Sequence, residues 1–173
     1  MKENDSKIGL GGGCHWCTEA VFQQLKGVTK VEQGYISSAG EENWLSEAII
    51  VHFDQKIVSF FDLIRIHLHT HAATSQHSFR HKYRSAIYYF EEKDKNDLEN
   101  IIESLQHDFE KKIITQILPF NSFKASRESL LNYYENNKNN QFCERYIIPK
   151  VELLERDFSD IMKPNKSENP FIK

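Results

Sequence analysis

Apolar and polar residues along the chain switch between two periods, and the switches mark out its elements. Lys7-Ile8-Gly9-Leu10 has the pattern of a short strand. Ala20-Val21-Phe22-Gln23-Gln24-Leu25-Lys26 then has helical spacing that stops at Gly27. Val28 to Ile36 alternates loosely and predicts a second strand, and Ser37 to Asn43 a polar turn. In the next strand Glu47, Ile49, Val51 and Phe53 share one face. Ser59 to Thr70 reads as a helix with Phe60, Leu63, Ile64 and Leu68 recurring, followed by a histidine-rich loop to Lys82. Tyr83 to Phe90 predicts a strand, and Glu92 to Lys112 a long charged helix with Leu98, Ile101, Ile102, Leu105 and Phe109 on its buried stripe. Ile113 to Leu118 predicts a strand closed by Pro119, and Ser126 to Glu135 a short helix before the Asn-rich stretch 136–140.

This order predicts an α+β fold, a two-layer sandwich whose mixed sheet has a split βαβ, ferredoxin-like core. A doubly wound parallel sheet is the alternative, but the strands flanking residues 37–43 are too closely joined for a parallel crossover. One catalytic domain is expected over residues 1–158. The C-terminal tail is expected to be mobile, with 159–173 frayed.

The bulk numbers narrow the function classes. A length of 173 residues suits about one domain. With 39% hydrophobic and 27% charged residues the chain is ordinary for a soluble globular protein. A net charge of −3 offers no basic surface, so nucleic acid is not an expected partner. No apolar run reaches membrane-spanning length and the first residues lack a signal-peptide core, so a cytoplasmic, membrane-free setting is expected. Three cysteines in such a reducing compartment point to redox, nucleophilic or metal chemistry rather than a disulfide framework.

The most specific stretch is Gly11-Gly12-Gly13-Cys14-His15-Trp16-Cys17-Thr18-Glu19, at the junction of the first strand and first helix. Cys14 falls in the first helical turn, where unpaired N–H groups and the positive end of the helix dipole favour thiolate over thiol. The glycines permit a sharp turn and close approach of a substrate to the sulfur. Mere packing needs neither, so Cys14 reads as a reactive nucleophile and an enzyme is the leading class. Cys17 suits a redox partner and a packed core cysteine equally. Cys143 follows a flexible segment, which suits a resolving thiol that swings towards Cys14; an incidental half-buried cysteine is the alternative. His67, His69, His71, His77 and His81 raise the question of zinc. Their spacing does not converge in a strand or a helix, however, so a solvated or loop-packed group is expected and no metal. Tyr35 and Tyr83 bracket strand ends, as half-buried core phenols or as hydrogen-bond donors to a substrate oxygen. Glu47 would have a raised pKa and act as an acid if its strand face is core, or would simply reach water at the strand end.

Taken together the residues resemble the A-type peptide methionine sulfoxide reductases, whose signature Gly-Cys-Phe-Trp-Gly-x-Glu reads here Gly13-Cys14-His15-Trp16-Cys17-Thr18-Glu19. The resemblance continues through Gln33-Gly34-Tyr35, Lys82-Tyr83-Arg84-Ser85, Leu118-Pro119-Phe120, Asn132-Tyr133-Tyr134 and the Phe142-Cys143 to Pro149-Lys150 tail. It implies reduction of methionine S-sulfoxide, free or in proteins, with Cys14 as nucleophile passing through a sulfenic acid to a disulfide. An external dithiol, thioredoxin, would reduce that disulfide, with no metal or organic cofactor. It implies a pocket wall at Trp16 with His15 and Glu19 beside it, a sulfoxide site lined by Tyr35, Tyr83 and Tyr134, and Cys143 as recycling cysteine. Cys17 would complete a relay or substitute. A monomer is expected. The chain departs from the signature in His15 for phenylalanine, Cys17 for glycine, Phe142 for tyrosine and Ser78 for an aspartate. Its substrate loop is shortened to residues 36–45, leaving Glu41, Glu42 or Glu47 as the acid. Two other classes share the C-x-x-C pattern: a thioredoxin-like disulfide oxidoreductase and a zinc-binding interaction module.

Overall fold

A computed structural model describes residues 4–164. The end of the chain beyond them, most of the tail expected to fray, lies outside the described residues. Five strands carry the fold: β1 (Asp5–Gly11), β2 (Val28–Ser38), β3 (Ser46–Asp54), β4 (Ala86–Tyr89) and β5 (Gln116–Ala125). Helices α1 (His15–Gln23), α2 (Phe60–Thr70) and α3 (Lys95–Leu105) follow β1, β3 and β4, and α4 (Tyr133–Asn136) and α5 (Ile148–Asp157) complete the chain. The fold is mixed α+β, as expected.

The sheet differs from the open layer that the element order predicts. β3 lies antiparallel between β1 and β2, and β4 lies antiparallel on the other side of β1. β5 then runs parallel to β4 and antiparallel to β2, closing all five strands into a barrel. The closing strand is longer than predicted and runs through Pro119 instead of stopping there. Proline is tolerated because it pairs with Tyr89, the last residue of β4, and lies two residues before the bulge that β5 makes between Phe120 and Ser122 against β2.

Closure places glycine where strands crowd. A Cβ on Gly34 would lie 2.2 Å from the Lys124 carbonyl oxygen and 2.6 Å from the Phe123 ring, so only glycine lets β5 reach β2 here. Inside the ring Ile36, Ala48, Ile50, Ala86 and Tyr88 form a small core. The larger core lies outside, where α1, α2 and α3 cover β1 and β3 with Val21, Phe22, Ile64, Leu68 and Leu98. Both faces of β3 are therefore buried, which explains its near-continuous apolar run Ala48-Ile49-Ile50-Val51.

Two helices end differently from their sequence pattern. α3 stops at Leu105 and not at Lys112, because the Gln106 side chain donates to the Lys111 carbonyl (2.9 Å) and accepts from the Ile113 amide (3.0 Å). The helix predicted over 126–135 is broken by Asn132 in the left-handed region (φ 53°). Gln23 and Gln33 hold that segment by donating to the Asn132 side chain and the Leu130 carbonyl. The tail is also placed: Cys143 is fully buried at the head of a π-helical turn (Cys143–Ile147) that leads into α5 against α1. Just beyond α5, the Lys26 amide donates to Ile161 O (2.8 Å) and the Lys163 amide to Gln24 O (2.7 Å), which joins 161 and 163 to the turn after α1.

Gly34→Val should destabilise the protein by about 3 kcal/mol, the upper end of overpacking costs, because the neighbour it strikes is backbone. Chemical denaturation measures this as a lower unfolding midpoint at unchanged slope.

Candidate active site

β1 delivers the chain to the sulfur through a loop that only glycine can follow. Gly12 has φ 152°, and a Cβ there would lie 2.4 Å from the His71 ring. The loop carbonyls are held from below. His67 Nε2 donates to Gly11 O (2.8 Å), and the buried Arg80 donates to Gly12 O (2.8 Å) and Tyr83 O (3.0 Å). Burial pushes the His67 pKa down to about 4, so it acts as a neutral donor. His71 continues the scaffold through Ser85 Oγ (2.8 Å) to Thr115. The remaining histidines have separate partners: His69 bonds Asp108, His77 caps a 3₁₀ turn, and His81 stacks on Trp44. Among the described residues no three His, Cys, Asp or Glu side chains gather as metal ligands. The histidine-rich segment thus builds the glycine loop, a role its spacing did not disclose.

Cys14 is half-buried and is the N-cap of α1, with its carbonyl accepting from the amides of Cys17 (3.1 Å) and Thr18 (3.2 Å). Its pKa is lowered, chiefly because the Cys17 thiol donates to its sulfur. Burial opposes the shift, and the Trp16 amide supports it. The same bond, together with burial, holds Cys17 well above the ordinary thiol range. Two sequence neighbours therefore have opposite roles: Cys14 tends to thiolate and Cys17 is its protonated donor. All three cysteines are free. Lys150, to which the sequence assigns no role beyond the tail motif, lines the cleft beside Cys14 and donates to Thr70 O. Burial lowers its pKa, and its charge faces Cys17 and Cys14.

Glu47 begins the face of β3 that leads into the large core and is buried. Of the three acids in view, Glu41 is exposed and Glu42 is paired with Arg84 (3.0 Å), which also donates to Trp44 O and the Tyr88 hydroxyl. The Tyr83-Arg84-Ser85 motif thus clamps the short loop between β2 and β3. Burial raises the Glu47 pKa, with the Lys82 charge and the Tyr83 hydroxyl pulling it back. His15, only 2% exposed, places Nε2 3.0 Å from Glu47 Oε1 and Nδ1 2.8 Å from Gly34 O, with Tyr35 edge-on to its ring. Glu47 Oε2 is buried with no hydrogen-bond partner.

On the other side, Trp16 stacks on Tyr133 at 4.1 Å and meets Phe142 edge-on at 5.2 Å. Tyr134 and Cys14 pack on the apolar cluster of Cys17, Ala20, Cys143, Ile147 and Val151. Cys143 is thus seated beside Cys17 on a docked segment, not on a swinging tail. Glu19 faces neither His15 nor the cleft. Its carboxylate accepts from the Tyr133 amide (3.2 Å) and so fixes the residues that pack on Trp16. A cleft of about 470 Å³ beside Cys14 is lined by Gly13, Cys17, Phe79, Tyr83, Phe142 and Lys150. The cleft sets the Cys14 sulfur and the Tyr83 phenol beside the Phe79 and Phe142 rings, with two further thiols behind the first, while Glu47 acts on Cys14 from β3 without lining the cleft.

The family model for peptide methionine sulfoxide reductase matches residues 6–161. The peptide methionine sulfoxide reductase MsrA of Campylobacter jejuni is 33% identical over 87% of this chain and 98% of its own length. The MsrA of Sulfolobus acidocaldarius is 31% identical over 87% and 94%. Among solved structures, reduced Mxr1 of Saccharomyces cerevisiae superposes with a TM-score of 0.73 at 21% identity, covering 83% of this chain and 91% of that one. Mxr1 has also been solved in complex with Trx2; that structure superposes at 0.61 and 22% identity over 74% and 85%. The family match spans nearly every described residue, and the chain belongs to the peptide methionine sulfoxide reductase family.

Proposed function

We propose that this protein reduces methionine S-sulfoxide, free or in peptides, to methionine, with Cys14 as the atom that takes the oxygen. The observation that carries this reading is the half-buried Cys14 at the N-cap of α1, opening on the cleft, with Cys17 in the same turn and the buried carboxyl of Glu47 on β3. The Cys14 thiolate attacks the sulfoxide sulfur while the oxygen takes a proton from Glu47; that hydroxyl then passes to the Cys14 sulfur as the new sulfur–sulfur bond breaks, releasing methionine and leaving Cys14 as a sulfenic acid. Tyr35 and Tyr83 orient the sulfoxide oxygen, while Trp16, framed by Tyr133 and Phe142, receives the methyl group. Tyr134 lines the same region, and Glu19 positions the segment that carries it.

The thiol of Cys17 then condenses with the sulfenic acid, releasing water and forming a Cys14–Cys17 disulfide. Cys143, packed against Cys17, attacks that bridge, frees Cys14 and moves the disulfide to Cys17–Cys143. A dithiol protein of the thioredoxin type reduces it; the solved complex of the relative Mxr1 with Trx2 supports this partner. Residues 1–158 act as one catalytic domain, working as a monomer in the cytoplasm. For the sheet, the order β4-β1-β3-β2 supports a ferredoxin-like core to which β5 adds the closure.

Separate S and R epimers of a methionine sulfoxide, assayed with dithiothreitol, test the reading: turnover of S alone is expected, abolished in Cys14→Ser. Full activity of Cys14→Ser contradicts it. Glu47→Gln should lower kcat by roughly 10²–10⁴-fold, the usual worth of a general acid. Cys17→Ala removes the donor that lowers the Cys14 pKa, so the midpoint of Cys14 alkylation against pH moves upward and reactivity at neutral pH falls. Peptide mapping after one turnover should find Cys17–Cys143 in the wild type and Cys14–Cys17 in Cys143→Ser; a Cys14–Cys143 bridge in Cys17→Ser at unchanged rate excludes the relay.

A further inference from the structure

His15 stands where the family signature has phenylalanine, and its surroundings fix where its protons are. The Gly34 carbonyl oxygen can only accept, so Nδ1, 2.8 Å away, must carry a hydrogen. A neutral imidazole then has a bare lone pair at Nε2, 3.0 Å from Glu47 Oε1. Two acceptors do not sit at that distance unpaired, so the Oε1–Nε2 contact contains one proton. Both side chains are less than a tenth exposed, which disfavours the separated charges of an imidazolium and a carboxylate. The stable form is a carboxylic acid donating to imidazole. Burial supports this from both sides, lowering the His15 pKa and raising that of Glu47. A phenylalanine ring could fill the space but could not accept that hydrogen.

We infer that His15 is a positioning residue for the acid Glu47: through the Gly34–His15–Glu47 chain it orients the carboxyl and keeps it protonated until a sulfoxide oxygen competes for the hydrogen. This rests on the function proposed above and deepens it. The step balances simply. Glu47 gives its proton to the sulfoxide oxygen, leaving a carboxylate opposite the Nε2 lone pair. That unfavourable contact is relieved when the pair takes one proton back from water. The arrangement also serves the thiolate, because a Glu47 carboxylate would oppose ionisation of Cys14.

The other groups facing the pair are few. Cys14 opens α1, Tyr35 on β2 meets the His15 ring, and Lys82 and Tyr83 approach from the loop before β4. Lys82 draws the Glu47 pKa down and also lowers that of His15, so it cannot be what keeps Glu47 protonated. The acceptor at His15 Nε2 is the group that favours the protonated acid by direct contact.

The test is the pH profile of kcat/KM for methionine S-sulfoxide with wild type, His15→Phe, His15→Asn and His15→Gln. Thiolate formation at Cys14 sets the acid limb, read independently by mapped alkylation of Cys14 against pH, and loss of the Glu47 proton sets the alkaline limb. His15→Phe and His15→Asn should move the alkaline limb to lower pH by about one unit, the worth of one hydrogen bond to the protonated acid. His15→Gln, whose amide oxygen can accept from Glu47, should keep it in place. A purely structural role would lower the whole curve without moving that limb. An unmoved limb in folded His15→Phe and His15→Asn, checked by circular dichroism, overturns the inference. Absence of sulfoxide turnover in the wild type would overturn the underlying function instead, so the two failures are distinct.

Discussion

The site depends on one side-chain pairing, of Cys14 with Cys17 across the first turn of α1, which lowers the pKa of the first thiol and raises that of the second. In a helix the i and i+3 positions share a face, so a C-x-x-C pair beginning at the N-cap brings the two sulfurs together without help from the rest of the fold. The pairing does two things at once. It stabilises the thiolate at Cys14, and it keeps Cys17 protonated until there is an electrophilic sulfur for it to meet. In the proposed cycle, once Cys14 is a sulfenic acid, Cys17 is already in place to act as resolving thiol.

The remainder of the structure keeps that turn where it is. β1 ends in glycine, the loop carbonyls of Gly11 and Gly12 are bonded by buried His67 and Arg80, and Arg84 ties the β2–β3 loop to β4. These polar side chains are expensive to bury, and each offsets the cost by meeting carbonyls or carboxylates at hydrogen-bond distance. Closure of the barrel sets the positions of β2 and β3 relative to α1. That placement brings Gly34 and Glu47 to opposite nitrogens of one imidazole.

Much of this could be read from local sequence. The glycine run, the C-x-x-C spacing and the strand before it are short-range signals, and they placed Cys14 at the start of its helix. Ser59 and Asp62 form the capping box that starts α2 where its apolar spacing begins. Features fixed by distant partners were not legible. The Gln106 side chain ends α3, and no periodicity reveals that. Cys143 looked mobile because Asn-rich sequence precedes it, yet apolar residues of α1 and α5 bury it completely. The pairing of His15 with Glu47 spans 32 positions and exists only because β3 lies between β1 and β2.

The number of methionines formed per chain in the absence of any reductant tests the thiol relay most directly. Fully reduced protein, mixed with excess methionine S-sulfoxide and quenched with acid, should release about two methionines per chain and lose all three titratable thiols. The first oxygen is resolved as a Cys17–Cys143 disulfide and the second stays on the liberated Cys14. One methionine per chain with one thiol still titrating would contradict it.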